Sequence, residues 1–134
     1  MNDGAREAFA RHGLMRLLGA ELVELEEGRC VIELAYRDDL TQHHGYFHAG
    51  AVGAVLDTAG GFAAASTTGW TDDVLTVEYK LNLLRPAAGD RLRAAAQVLR
   101  AGRQLVVCRA EAFVDGKLCA AMQQTLMLGR VQSP

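Results

Sequence analysis

Apolar and polar positions along this chain switch between two periods, and the switches mark the predicted elements. Phe9, Leu14, Leu17 and Leu18 supply the apolar face of an opening helix over residues 1–19, which Asn2 and Asp3 can cap and Gly19 can stop. Residues 21–25 and 30–36 read as two short strands joined in a hairpin at Glu27-Gly28. Residues 37–47 are polar and irregular and are expected to form a loop. From Ala49 to about residue 67, Val52, Val55, Leu56, Ala59, Phe62 and Ala63 recur at i, i+3, i+4 spacing without a proline, which predicts a long helix. Beyond it strict alternation returns. Leu75, Val77, Tyr79, Leu81 and Leu83 fall on one side of a strand, with Thr76, Glu78, Lys80 and Asn82 on the other. Three more strands follow, near residues 92–98, 105–114 and 117–128, separated by turns at Ala101-Gly102-Arg103 and Asp115-Gly116.

The long helix carries Gly50, Gly53, Gly60 and Gly61, each weakening it by roughly 1 kcal/mol relative to alanine. Tertiary contact must hold such a helix, and something is expected to pack very close to its backbone. One buried helix and about six mostly antiparallel strands imply an α+β fold with the sheet wrapped round the helix. Such a sheet has two edges to protect, so the chain is expected to oligomerise.

Composition narrows the function. At 134 residues the chain has the size of one domain, and its 50% hydrophobic and 22% charged residues exclude disorder. A net charge of −2 gives no basic footprint for nucleic acid and no polybasic anchor for a membrane. Cys30, Cys108 and Cys119 have no paired spacing and read as buried small hydrophobes. With an N-terminus unlike a signal peptide, they make a cytoplasmic location the expectation. Residues 41–71 are poor in charge, but Asp57 divides them into pieces too short for a membrane span. An acid inside so apolar a helix needs a reason.

The chemistry concentrates in Gln42-His43-His44-Gly45-Tyr46-Phe47-His48-Ala49-Gly50, followed by Asp57. The first N–H groups of a helix lack intrahelical partners and carry the positive end of its dipole, so they can polarise a carbonyl or hold an oxyanion. Asp57 lies about 13 Å further along the axis than His48. One helix therefore cannot bring both its mouth and Asp57 to one reacting carbon. If both act together, the carboxylate must reach the helix mouth of another subunit. The alternatives are ordinary: Asp57 as a structural acid, Thr76 as strand surface, Tyr46-Phe47 as either pocket wall or loop packing. His43, His44 and His48 lack the second ligand cluster a metal site needs.

The spacing Gln42…Gly45…His48-Ala49-Gly50…Asp57, the strand Leu75-Thr76-Val77-Glu78-Tyr79-Lys80 and the turn Leu83-Leu84-Arg85-Pro86-Ala87…Gly89-Asp90 resemble the hotdog-fold acyl-CoA thioesterases of the PaaI-like branch. The likeness runs over residues 40–129. It implies that Asp57 is the catalytic acid, acting as nucleophile or as general base for water. It also implies that the Ala49 N–H polarises the thioester carbonyl, that Gln42 contacts the thioester or the attacking water, and that Thr76 positions water. His48 matches a motif histidine that is more often structural than acid–base. Two positions depart from the family's usual Asn-x-x-Gly-x-x-His-Gly-Gly: Gln42 lengthens one arm by a methylene, and Ala49 adds a methyl beside the oxyanion site. Among arginines near the turns, Arg85 and Arg103 are candidates for the phosphates of CoA, for which guanidinium is suited. The implied assembly is a homodimer or homotetramer with shared sites, needing no metal and no cofactor beyond the CoA of its substrate. Rival expectations are a hydratase or dehydratase on the same fold and a non-catalytic acyl-CoA-binding protein.

Overall fold

A computed structural model describes residues 2–134. In chain order the elements are α1 (Asp3–Ala10), α2 (Gly13–Leu18), β1 (Glu21–Glu26), β2 (Arg29–Ala35), a 3-10 turn (Asp38–Leu40), α3 (Ala49–Ser66), β3 (Asp73–Leu83), β4 (Arg91–Ala101), β5 (Leu105–Val114) and β6 (Lys117–Gly129). The six strands form one sheet in the order β1-β2-β4-β5-β6-β3, with every neighbouring pair antiparallel. The sheet wraps α3, giving the α+β hotdog arrangement. No helix among the described residues is long and apolar enough to cross a membrane.

The core shows why α3 survives its glycines. Val52, Val55, Leu56, Ala59 and Ala63 pack into one cluster with Ile32, Leu34, Leu92 and Met122. Between them the sheet presents mostly alanine: Ala94, Ala96, Ala110, Ala112 and Ala120, all essentially inaccessible. Small side chains on both surfaces let helix and sheet approach closely, and that packing replaces the missing propensity. Cys30, Cys108 and Cys119 are buried here as expected. Burial pushes the thiols of Cys30 and Cys108 up to about 12, and that of Cys119 upward as well.

The predicted N-terminal helix is in fact two. His12 is extended (φ −75°, ψ 98°) and separates α1 from α2. The break lets Phe9 meet the edge of Phe62 at 5.6 Å while Met15, fully buried, enters the main core. Tertiary packing thus overrides the local pattern. Gly19 ends α2 in the left-handed region (φ 76°), as predicted. The loop at 37–47 is more ordered than its composition implies. Leu40 and Phe47 are buried, and a bridge between Thr41 and Phe47 closes its second half.

The alternation predicted for β3 breaks in the middle. Thr76 pairs with Leu126 and Glu78 with Thr125, so Val77 is an extra residue, a β-bulge. Tyr79, Leu81 and Leu83 share the core face of Gln124, Met122 and Ala120. Across the bulge the phase flips, and Thr76 joins that face beside Leu126 instead of lying with Glu78, Lys80 and Asn82. β3 is a sheet edge bonded only to β6, and Leu75, Val77, Tyr79 and Leu83 are each about half exposed on it. At the opposite edge, Arg91 and Arg93 pair with Glu21, Glu24 and Glu33. Those two arginines therefore serve the sheet.

Candidate active site

The mouth of α3 is built by its cap. His48 is extended (φ −63°, ψ 139°), and its Nδ1 accepts the Gly50 N–H at 2.7 Å. A Cβ on Gly50 would stand 2.9 Å from that nitrogen, so the glycine makes room for the cap. His48 thus caps α3. The Ala49 N–H, next along, has no partner among the described residues. Gln42 is anchored through its side-chain oxygen, which accepts from the N–H groups of His44 (2.5 Å) and Tyr46 (3.3 Å). Its Nε2 has no partner among the described residues. Gln42 and Ala49 line a cavity of about 450 Å³ together with Tyr46, Leu84 and Arg85. Phe47 also borders it but is 3% exposed and packs edge-on against Tyr36, so this pair divides the two roles considered for it.

Asp57 lies two turns further along α3, half-buried, and lines a separate cavity of about 670 Å³. Its Oδ1 accepts two hydrogen bonds, from Thr76 Oγ1 at 2.6 Å and from Gln124 Nε2 at 2.8 Å. Gln124 Nε2 also lies 3.3 Å from the Asp57 carbonyl oxygen, to which it donates. Asp57 Oδ2 has no partner among the described residues. The bulge at Val77 brings Thr76 here, so this residue is not ordinary strand surface. Phe62, Trp70 and Leu126 give the cavity its apolar wall, and α1 covers one side.

Gln124 was not among the residues expected from the sequence. It is 1% exposed, and its Oε1 is buried without a partner among the described residues, at a typical cost of about 1–3 kcal/mol. Two signals point to it. In β6 it occupies an inward position between Met122 and Leu126. Among the helical glycines, Gly60 is the one whose backbone its amide touches, since a Cβ there would lie 1.4 Å from Gln124 Oε1. The close approach expected along α3 is real at Gly60, whereas Gly61 has nothing within 4 Å and opens onto the cavity.

Within one protomer the structure joins Asp57 with Thr76, and Gln42 with Ala49, but not one pair with the other. Eight residues of helix, about 12 Å, separate Ala49 from Asp57, and the two cavities share no lining residue. Arg85 stands in the Gln42–Ala49 cavity. Arg103 lies elsewhere, at the β4–β5 turn beside Arg100. The arrangement provides a carboxylate with one fixed and one free oxygen, and a helix mouth with an unused donor. These are the parts for delivering water, or the carboxylate itself, to a polarised carbonyl.

Comparison with known proteins places the chain among its relatives. Residues 44–121 match the sequence profile of the thioesterase superfamily. A solved structure of a thioesterase family protein from Silicibacter pomeroyi is 44% identical, with a TM-score of 0.89 over 95% of this chain and 96% of that one. The Escherichia coli PaaI protein from the phenylacetic acid degradation operon shares the fold at 24% identity, with a TM-score of 0.86 over 96% and 91% of the two chains. The medium/long-chain acyl-CoA thioesterase YigI of Salmonella typhimurium is 26% identical over 142 aligned positions, spanning 92% of this chain and 90% of that protein.

Proposed function

This chain belongs to the thioesterase superfamily and is a thioester hydrolase; from that premise we propose that it cleaves an acyl-CoA thioester to the free acid and CoA, in a site completed by two protomers. One protomer supplies the helix mouth. The thioester oxygen accepts from the Ala49 N–H, where the dipole of α3 favours developing negative charge, and Gln42 Nε2 donates from the side. The other protomer supplies Asp57. Its free Oδ2 takes a proton from water as the water oxygen attacks the carbonyl carbon, or attacks that carbon itself and is released by water afterwards. In the first course the C–S bond breaks, the CoA thiolate leaves, and the proton that Oδ2 took from water passes to sulfur. In the second the thiolate leaves as Oδ2 forms a mixed anhydride with the acyl group, and the water that cleaves the anhydride restores the carboxylate and supplies the proton that sulfur takes up. The acyl group occupies the apolar cavity beside Asp57. CoA leaves past Arg85, whose guanidinium suits a phosphate. The exposed apolar edge of β3 supports association of two copies, since an unpaired strand with half-exposed Leu75, Val77, Tyr79 and Leu83 invites a partner.

The observation that carries this reading is the division of labour at Asp57: Oδ1 is saturated by two donors while Oδ2 is free. The test is thiol release from acetyl-, hexanoyl-, decanoyl- and phenylacetyl-CoA by the wild-type chain and by Asp57→Asn. Loss of turnover by about 10²- to 10⁴-fold in a folded variant is expected. Binding of these thioesters by the wild-type chain without turnover of any of them would overturn the acyl-CoA reading in favour of a binding protein.

A further inference from the structure

We propose that Gln124 is a positioning residue for this reaction: its buried amide, seated on Gly60, holds the Asp57 carboxylate so that Oδ2 alone is presented to the cavity. The proposal rests on the acyl-CoA hydrolase reading and deepens it. Gln124 sits where a folded sheet has most to gain from an apolar side chain, between Met122 and Leu126 on the core face of β6. A buried amide is ordinarily satisfied at both ends. Here both contacts of Nε2 go to Asp57, at 2.8 Å to Oδ1 and 3.3 Å to the main-chain oxygen, while Oε1 receives nothing from the described residues. An amide serving packing alone would not leave its acceptor empty to reach a single carboxylate.

The orientation follows from chemistry. Only the NH₂ end can face a carboxylate oxygen, because the carbonyl end would place two acceptors together. Bonding the carboxylate and the carbonyl of the same residue ties the Asp57 side chain to its own backbone and opposes its rotation. Thr76 donates to the same Oδ1 from the edge strand β3, whereas Gln124 is buried within the protomer itself. The remaining charged or titratable groups of the cavity are Arg11 and His12 at the α1–α2 junction and Asp72 and Asp73 entering β3; none hydrogen-bonds Asp57 among the described residues. Gly60 belongs to the same device, since any side chain there would occupy the space of the amide.

The experiment compares wild type, Gln124→Met, Asp57→Asn and the double variant in the full chain, with decanoyl-CoA and phenylacetyl-CoA as probes. Methionine keeps the volume of glutamine and removes the donor. Circular dichroism and elution volume identify folded variants. Gln124→Met is expected to lower kcat about 10- to 100-fold, the worth of a hydrogen bond to a charged group, with KM held within about threefold. In the Asp57→Asn background it is expected to add no further loss, because its effect passes through the carboxylate. Unchanged kcat in folded Gln124→Met overturns the proposal, and so does an equal loss in both backgrounds. Full turnover by Asp57→Asn would instead refute the role of Asp57 itself, a separate result from either.

Discussion

Replacing Gly60 by alanine tests the packing of α3 and the site at once, and two opposing effects decide its sign. In a helix interior the change from glycine to alanine stabilises by about 1 kcal/mol. Against this, the new methyl would stand 1.4 Å from Gln124 Oε1 and 2.4 Å from Cδ. Restoring an ordinary contact of at least 3.4 Å requires the oxygen to retreat by about 2 Å. A bond of 2.8 Å from the same amide to Asp57 does not survive that displacement. Losing a hydrogen bond to a carboxylate is worth about 1.5–3 kcal/mol, and forcing a methyl into a packed core adds about 1–3 kcal/mol. Repacking therefore outweighs propensity, and a net loss of about 1.5–5 kcal/mol is expected, together with lower kcat. Gly61→Ala is the internal control. Its methyl meets nothing within 4 Å, so the propensity gain of up to about 1 kcal/mol should stand. Urea unfolding followed by circular dichroism, at one fixed protomer concentration, measures both. A Gly60→Ala chain as stable and as active as wild type would refute the account of Gln124 and of the helix–sheet contact together.

Two further outcomes are expected. Thr76→Val removes one of the two donors to Asp57 Oδ1 while keeping the side chain's shape; kcat should fall about tenfold with thermal stability within about 1 kcal/mol of wild type, and an unchanged kcat would show that the hydroxyl does not assist Asp57. Because burial pushes the thiols of Cys30 and Cys108 up to about 12, the native chain at pH 8 should react with iodoacetamide at these positions only slowly, whereas urea should open all three cysteines to rapid labelling; fast labelling of Cys30 or Cys108 in the native state, read by mass spectrometry, would contradict their burial.

Periodicity made the large elements legible. The glycine-weakened helix from Ala49, the hairpin before it and the four strands after it lie close to where the pattern places them. What it missed depends on contacts between distant segments. The break at His12 accompanies the packing of both Phe9 and Met15 onto the main core, contacts with segments far along the chain. The bulge at Val77 follows from the register of β3 against β6, and nothing within β3 announces it. Gln124 was hidden for a related reason. Its inward phase is visible in β6, but its meaning comes from Gly60 and Asp57, on another element. The helix mouth was more accessible to reasoning, because capping at His48 and the unpaired N–H at Ala49 are local consequences of where a helix begins. Helix rise alone foretold that Ala49 and Asp57 stand too far apart to meet within one protomer.

The alanine seam beneath α3 also bears on how the sequence can diverge. Ala94, Ala96, Ala110, Ala112 and Ala120 are all essentially inaccessible and belong to the cluster on which α3 packs. Enlarging any of them lifts the helix, and with it the carboxylate, off the sheet. The apolar wall of the cavity beside Asp57 is drawn largely from outside that seam, from Phe62, Trp70 and the flank of α1. Selection for a different substrate can therefore rework these peripheral positions while the distance between the Asp57 carboxylate and the sheet stays constant. Drift in substrate range and constancy of reaction are separated in space by one layer of methyl groups.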